Sequence, residues 1–219
     1  MTHRPRRPAP LSPAAVNALS DSDPAERLEA AHASAHAVVA RLRDGSDPEA
    51  GARMAAAVDT DEGLDAAARL WAVAAPVSLP GGLWRLLALR AGVRRAPAQA
   101  AREFDAGRSR LPVSEVVAGV AQPPGPDEVS AMVDAVLLGV GAGDLDVTFE
   151  RAAAFARVCS VGRAVLADRR HDDEAREDSV EALDAELDAA RLTRSASALV
   201  QTAEHLEACA RRWRRNDLD

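Results

Sequence analysis

Between residues 63 and 97 the chain reads GLDAAARLWAVAAPVSLPGGLWRLLALRAGVRRAP, two apolar stretches flanking a short span with two prolines and two glycines. Leu64, Ala68, Trp71 and Ala75 recur at steps of four, three and four, the spacing of one helix face. Past the span 76–82, Leu79, Leu83, Leu86 or Leu87, and Arg90 keep that spacing. Two helices meeting at a hinge over 76–82 are therefore expected. Trp71 and Trp84 lie on either side of it. They are expected to be the largest pieces of the core, because aromatics make up 3% of the chain and tyrosine is absent. Apolar residues reach 47%, with alanine prominent. Small side chains let helix axes approach, whereas strands draw on β-branched and aromatic residues, and no sustained alternating run occurs. The fold class implied is all-α, a multi-helix bundle with an alanine-rich core.

Prolines, glycines and cap residues divide the rest of the chain. Residues 1–12, with three prolines and three arginines, read as a disordered basic arm. Pro13 can open a short helix to Leu19. Asp23, followed by Pro24 and Glu26, opens a firmer helix running to Gly45, with Leu28, Ala31, Ala35, Val38 and Leu42 as its core stripe. Ser46 and Thr60 cap the next two helices. Pro97 begins another that Gly107 is expected to end, and Pro112 one more. The loop 122–126 is the clearest break. Val129, Met132, Val133, Val136 and Val140 mark a further helix. Its glycine-rich exit at 139–144 reads as a helix–helix turn, since a phosphate-binding loop would need a preceding strand. A helical domain over 13–143 is thus expected.

A long helix follows over 145–170, and residues 144–219 are expected to pack on the body or to dimerise. Leu192, Ala196, Leu199, Ala203, Leu206, Ala210 and Trp213 alternate steps of four and three, a heptad seam. Val180, Leu183, Leu187 and Ala190 form a similar seam two residues out of phase, which predicts a stutter or turn near 193–195. Such coiled-coil-like segments could form a hairpin or face a partner. Leu192, Leu199, Leu206 and Trp213 are the expected contact residues.

Charge and chemistry exclude several classes of function. All 27 basic residues are arginine, so Schiff-base lysines, lysine-held pyridoxal phosphate and a Walker-type lysine are closed. No cofactor is expected. Two cysteines, Cys159 and Cys209, lie mid-helix without CxxC or secreted-scaffold spacing, which points to a reducing cytoplasm and an inert thiol. No stretch approaches 18 uninterrupted apolar residues, so no membrane span is expected. The net charge of −7 argues against sequence-independent wrapping of nucleic acid. Residues 84–110 nevertheless hold seven arginines, Arg85, Arg90, Arg94 and Arg95 among them, with Trp84 beside them. That face could bind single-stranded nucleic acid. Alternatively it pairs with the acidic run 168–188, where ten Asp/Glu meet three Arg.

Metal-ligand spacings are incomplete. His32 and His36 are four apart, Glu29 and His32 three apart, and His205 and Cys209 four apart, yet none assembles a full set. No metal site is expected.

The run Arg27-Leu-Glu-Ala-Ala-His32, with the preceding Asp23-Pro-Ala-Glu, resembles the arginine–histidine motif of HEPN domains (higher-eukaryote and prokaryote nucleotide-binding), in particular an actinobacterial branch. Trp71, Trp84, Ala91-Gly92 and Arg94-Arg95 extend the likeness, which spans at most residues 14–140. The resemblance implies a small helical fold and metal-independent RNA cleavage at a cleft between two protomers. His32 would then act as acid–base group, with Arg27 holding the phosphate.

The reading that follows from the residues is a helical interaction or regulatory module without catalysis, a homodimer or the partner of another helical protein. A HEPN-like ribonuclease using Arg27 and His32, or single-strand binding through 84–110, are the alternatives.

Overall fold

The computed structural model describes residues 23–44, 48–110, 123–138, 145–174 and 181–219, with only the backbone of 41–44, 48, 50–51, 170–174 and 181–192. The arm 1–12, the helices expected from Pro13 and Pro112, and the glycine turn 139–144 lie outside the described residues. So does Val180, and the side chains of Leu42, Leu183, Leu187, Ala190 and Leu192 are not described either.

Eight helices and no strand appear among the described residues: α1 (Pro24–Asp44), α2 (Pro48–Ala57), α3 (Asp61–Trp71), α4 (Leu79–Arg95), α5 (Pro97–Arg108), α6 (Pro126–Leu138), α7 (Leu145–Glu174) and α8 (Glu181–Arg214). The fold is all-α. Local chemistry sets several boundaries. Asp23 Oδ1 accepts the Ala25 N–H (2.9 Å) at the start of α1, and Thr60 Oγ1 accepts that of Gly63 (3.1 Å) at the start of α3.

The expected hinge at 76–82 is displaced. The connection is 72–78, and Ser78 caps α4 by accepting the Gly81 N–H at 3.2 Å. Pro80, Gly81 and Gly82 therefore belong to the first helical turn. The glycines permit contact rather than bending. A Cβ on Gly81 would sit 2.2 Å from the Ala75 carbonyl oxygen, and one on Gly82 would sit 2.9 Å from the ring of Phe149. Helix α5 ends at Arg108, one residue past the expected Gly107, and that glycine too serves a close approach. A Cβ there would lie 1.9 Å from the Val158 carbonyl oxygen, and one on Gly162 would lie 1.7 Å from that of Glu103. Helices α5 and α7 thus cross backbone to backbone.

Helix α4 is buried along most of its length and lies at the centre of the core. Trp71 is buried, and its Nε1 donates to Ser34 Oγ (2.9 Å), tying α3 to α1. Trp84 is only half-buried, and the largest fully buried side chain is Phe149 of α7. In α1 the core face is Ala31, Ala35, Val38 and Val39. Leu28, expected inside, shares that face by spacing but lies in the first two turns of the helix and is 43% exposed.

Helices α7 and α8 form an antiparallel hairpin. Arg157 binds both carboxylate oxygens of Glu207 (2.7 and 2.9 Å), Arg214 reaches Asp146 and Glu150, and Ser160 Oγ donates to the Ala196 carbonyl. Helix α8 runs unbroken through 193–195, so no turn or hairpin interrupts the two seams there. Asn216, at φ 54°, closes it. The N–H groups of Asn216 and Asp217 donate to the carbonyls of Trp213 and Arg212, the paired bonds of a Schellman cap. The cap turns Leu218 back into the core, and Leu79 N–H donates to the Asp219 carbonyl oxygen at 2.6 Å. Residues beyond 144 pack on the body: Phe149 and Leu206 share one apolar cluster with Ala31, Leu79 and Val133.

Candidate functional site: a cleft beside helix α4

Helix α4 presents Ala88, Gly92 and Ala96 at four-residue intervals, one face with almost no side-chain volume. A Cβ added to Gly92 meets no atom within 4 Å. The space beside this face is a half-open cleft of about 550 Å³. Trp84, Leu89 and Val93 of α4 wall it together with Ala100 of α5, Phe155 and Cys159 of α7, and Leu199 and Thr202 of α8. The cleft follows the boundary between two apolar clusters, one around α4 and Phe149, the other around Phe104 and Phe155, whose rings stack at 5.9 Å. Leu199 touches both clusters.

Three charged side chains reach the cleft. Glu103 is buried, accepting from Arg163 Nε (2.8 Å) and Gln99 Nε2 (2.7 Å), so its charge is matched. The third is Arg85. Its Nη1 donates to the Gly81 carbonyl (2.9 Å), and no carboxylate among the described residues forms an ion pair with it. Burial lowers its pKa below the usual guanidinium range. Burial and then the charge of Arg85 depress His205, one turn before Cys209 on α8. Burial, reinforced by Glu103, pushes the Cys159 thiol up to about 12, and burial pushes Cys209 to about 11. Neither thiol is a nucleophile at neutral pH.

The four arginines expected to form one basic face separate in the structure. Arg90 is buried and paired with Asp59 and Asp134, and Arg94 joins the same two carboxylates at 2.7 and 2.9 Å. Arg95 binds Asp61 at 2.7 Å. These partners come from the segment around the start of α3 and from α6; apart from Asp168 and Arg169, the side chains of the run 168–188 lie outside the described residues. Only Arg85 of the four lines the cleft.

The heptad seam is likewise turned inward. Leu206 is fully buried against the body, Leu199 lines the cleft, and Trp213 is half-buried against the main cluster. A seam of this regularity needs a facing helix, and α7 of the same chain supplies it. Leu206 is therefore not a free contact residue. Arg27 and His32 are half-buried on α1, and no described side-chain hydrogen bond or ion pair joins either to another residue. Among the described residues no three His, Cys, Asp or Glu side chains stand together as a metal site, and no helix is long and apolar enough to cross a membrane.

Arg163 and Thr202 line the cleft without having stood out in the sequence. The spacing Ala88, Gly92, Ala96 was its one legible trace. Compared with family models, with curated proteins and with solved structures, the chain matches none of them.

Proposed function

We propose that the protein is a helical binding and regulatory module without catalytic activity, and that it works by taking a small molecule with an apolar body into the α4–α5–α7–α8 cleft. The observation carrying this reading is the cleft itself. Its volume, about 550 Å³, falls inside the range of roughly 300–1,000 Å³ typical of ligand pockets, and its walls set the apolar side chains of Trp84, Leu89, Val93, Phe155 and Leu199 beside the polar ones of Arg85, Gln99, Glu103, Arg163 and Thr202. Its ionisable lining supports binding over turnover: Glu103 is held by Arg163 and Gln99, and the Cys159 thiol stays protonated. No described base stands poised beside a nucleophile.

Nile red, a neutral solvatochromic dye, tests the proposal. The native chain should bind it saturably at one site with a blue-shifted emission. Gly92→Leu should abolish the binding without lowering the circular-dichroism melting temperature, since its Cβ enters open space and leucine is a better helix former than glycine. Non-saturable binding, or binding untouched by Gly92→Leu, would refute the cleft as the working surface.

A further inference from the structure

We infer that the ligand of this cleft is a small amphipathic anion, its oxyanion head on Arg85 and its apolar body along Trp84, Val93, Phe155 and Leu199. The inference rests on the proposal that the cleft binds a small molecule, and it adds the chemistry and direction of that molecule. Glu103 and Arg163 satisfy each other at 2.8 Å, so the lining is left with one uncompensated positive charge. A neutral molecule would leave the Arg85 guanidinium partly desolvated and unmatched, and a cation would oppose it. One Nη1 hydrogen is already given to the Gly81 carbonyl, and the remaining donors of the fork are free for an oxyanion.

Position fixes the direction. The Arg85 side chain bonds back to Gly81, toward the start of α4, while Gln99 and the Glu103–Arg163 pair occupy the other end. From Trp84 to Ala96 the α4 wall spans about 18 Å at roughly 1.5 Å per residue. An acidic head at one end and a flexible or flat apolar body over the empty Gly92 face use the whole length. Carboxylate and phosphate-monoester heads share the oxyanion chemistry that Arg85 recognises.

Titration calorimetry with decanoate, decyl phosphate, decanol and decyltrimethylammonium, all below micelle formation, provides the test. Decanoate should bind about tenfold tighter than decanol, as expected for a charge-assisted hydrogen bond in a half-open site, and decyltrimethylammonium more weakly than either. Decyl phosphate binding tighter than decanoate would assign the head as a phosphate ester. The reverse order would assign a carboxylate, and both outcomes support the oxyanion site. Arg85→Gln should bring decanoate down to the affinity of decanol and leave decanol unchanged. Should Arg85→Gln fail to fold, Arg85→Lys, which keeps the charge without the fork, should retain the preference for decanoate over decyltrimethylammonium. Equal affinities for decanoate, decanol and decyltrimethylammonium in the native chain would overturn the inference while Nile red binding left the binding proposal standing. Loss of Nile red binding as well would remove that proposal too.

Discussion

Replacing Gly162 by alanine, with Gly92→Ala as its companion, makes one substitution act with opposite signs on the same chain. Both glycines lie inside long helices, where alanine is favoured by roughly 0.5–1 kcal/mol on conformational grounds. At Gly92 nothing lies within 4 Å of the added methyl, so this gain is realised and the variant is stabilised by about that amount. At Gly162 the methyl would stand 1.7 Å from the Glu103 carbonyl oxygen and 2.6 Å from its carbon. Ordinary contact begins at 3.4 Å, so α5 and α7 must part by more than an ångström. Because the obstacle is helical backbone rather than a flexible side chain, no rotamer change relieves it. Overpacking costs about 1–3 kcal/mol, and this site belongs at the upper end, leaving a net loss of about 2 kcal/mol after the propensity gain. Parting the helices also strains the Glu103–Arg163 pair beside the crossing. Urea unfolding followed by circular dichroism reads the result: at an unchanged slope, the two midpoints should move apart by about 1–2 M. If Gly162→Ala raised the midpoint as Gly92→Ala does, the backbone crossing of α5 and α7 would be wrong.

Further outcomes follow from the burial of Leu206 and the two thiols. Leu206→Ala should lower stability by about 2–5 kcal/mol, because a fully buried leucine leaves a cavity in the main cluster. A small stability loss accompanied by a changed light-scattering mass would instead place that leucine between chains. Stability should also fall in alkali. Unfolded thiols ionise near 9.0, whereas Cys209 and Cys159 hold their protons to about 11 and about 12, so the unfolded state loses protons first. The stabilisation is intact below pH 9 and is lost as pH rises through that window, by roughly 1.4 kcal/mol per pH unit for each thiol. Denaturant melts from pH 7 to 11 should show this decline, and Cys159→Ala/Cys209→Ala should flatten it. An identical decline in the double variant would contradict the burial argument.

The helices were legible because their signals are local. Asp23, Thr60 and Pro97 mark helix starts through chemistry confined to one turn, and the spacing of Val129, Val133 and Val136 names a buried face directly. What the heptad seam could not disclose was its partner. Leu206 repeats as a coiled-coil residue whether it meets another chain or α7, and only the hairpin decides. Glycine misled for a related reason: Gly82 and Gly107 carry the letter of a turn, yet each serves a close approach to α7, more than fifty residues further along the chain. Arg90, Arg94 and Arg95 suggested a basic face because Asp59, Asp61 and Asp134 lie 31 to 44 residues away. The cleft draws on four helices from Trp84 to Thr202, and its defining feature is missing volume, which no residue type announces.

Trp84 makes the central claim directly measurable, because it lines the cleft while Trp71 is sealed beneath α1 and Trp213 lies against the main cluster. In a chain labelled with 5-fluorotryptophan, the three fluorine resonances can be assigned by Trp84→Phe and followed as decanoate is added. The Trp84 resonance should shift saturably in the native chain and need about tenfold more decanoate for the same shift in Arg85→Gln, with Trp71 and Trp213 unmoved in both. A Trp84 signal that ignores decanoate, or one that moves equally with and without the Arg85 guanidinium, would contradict the account.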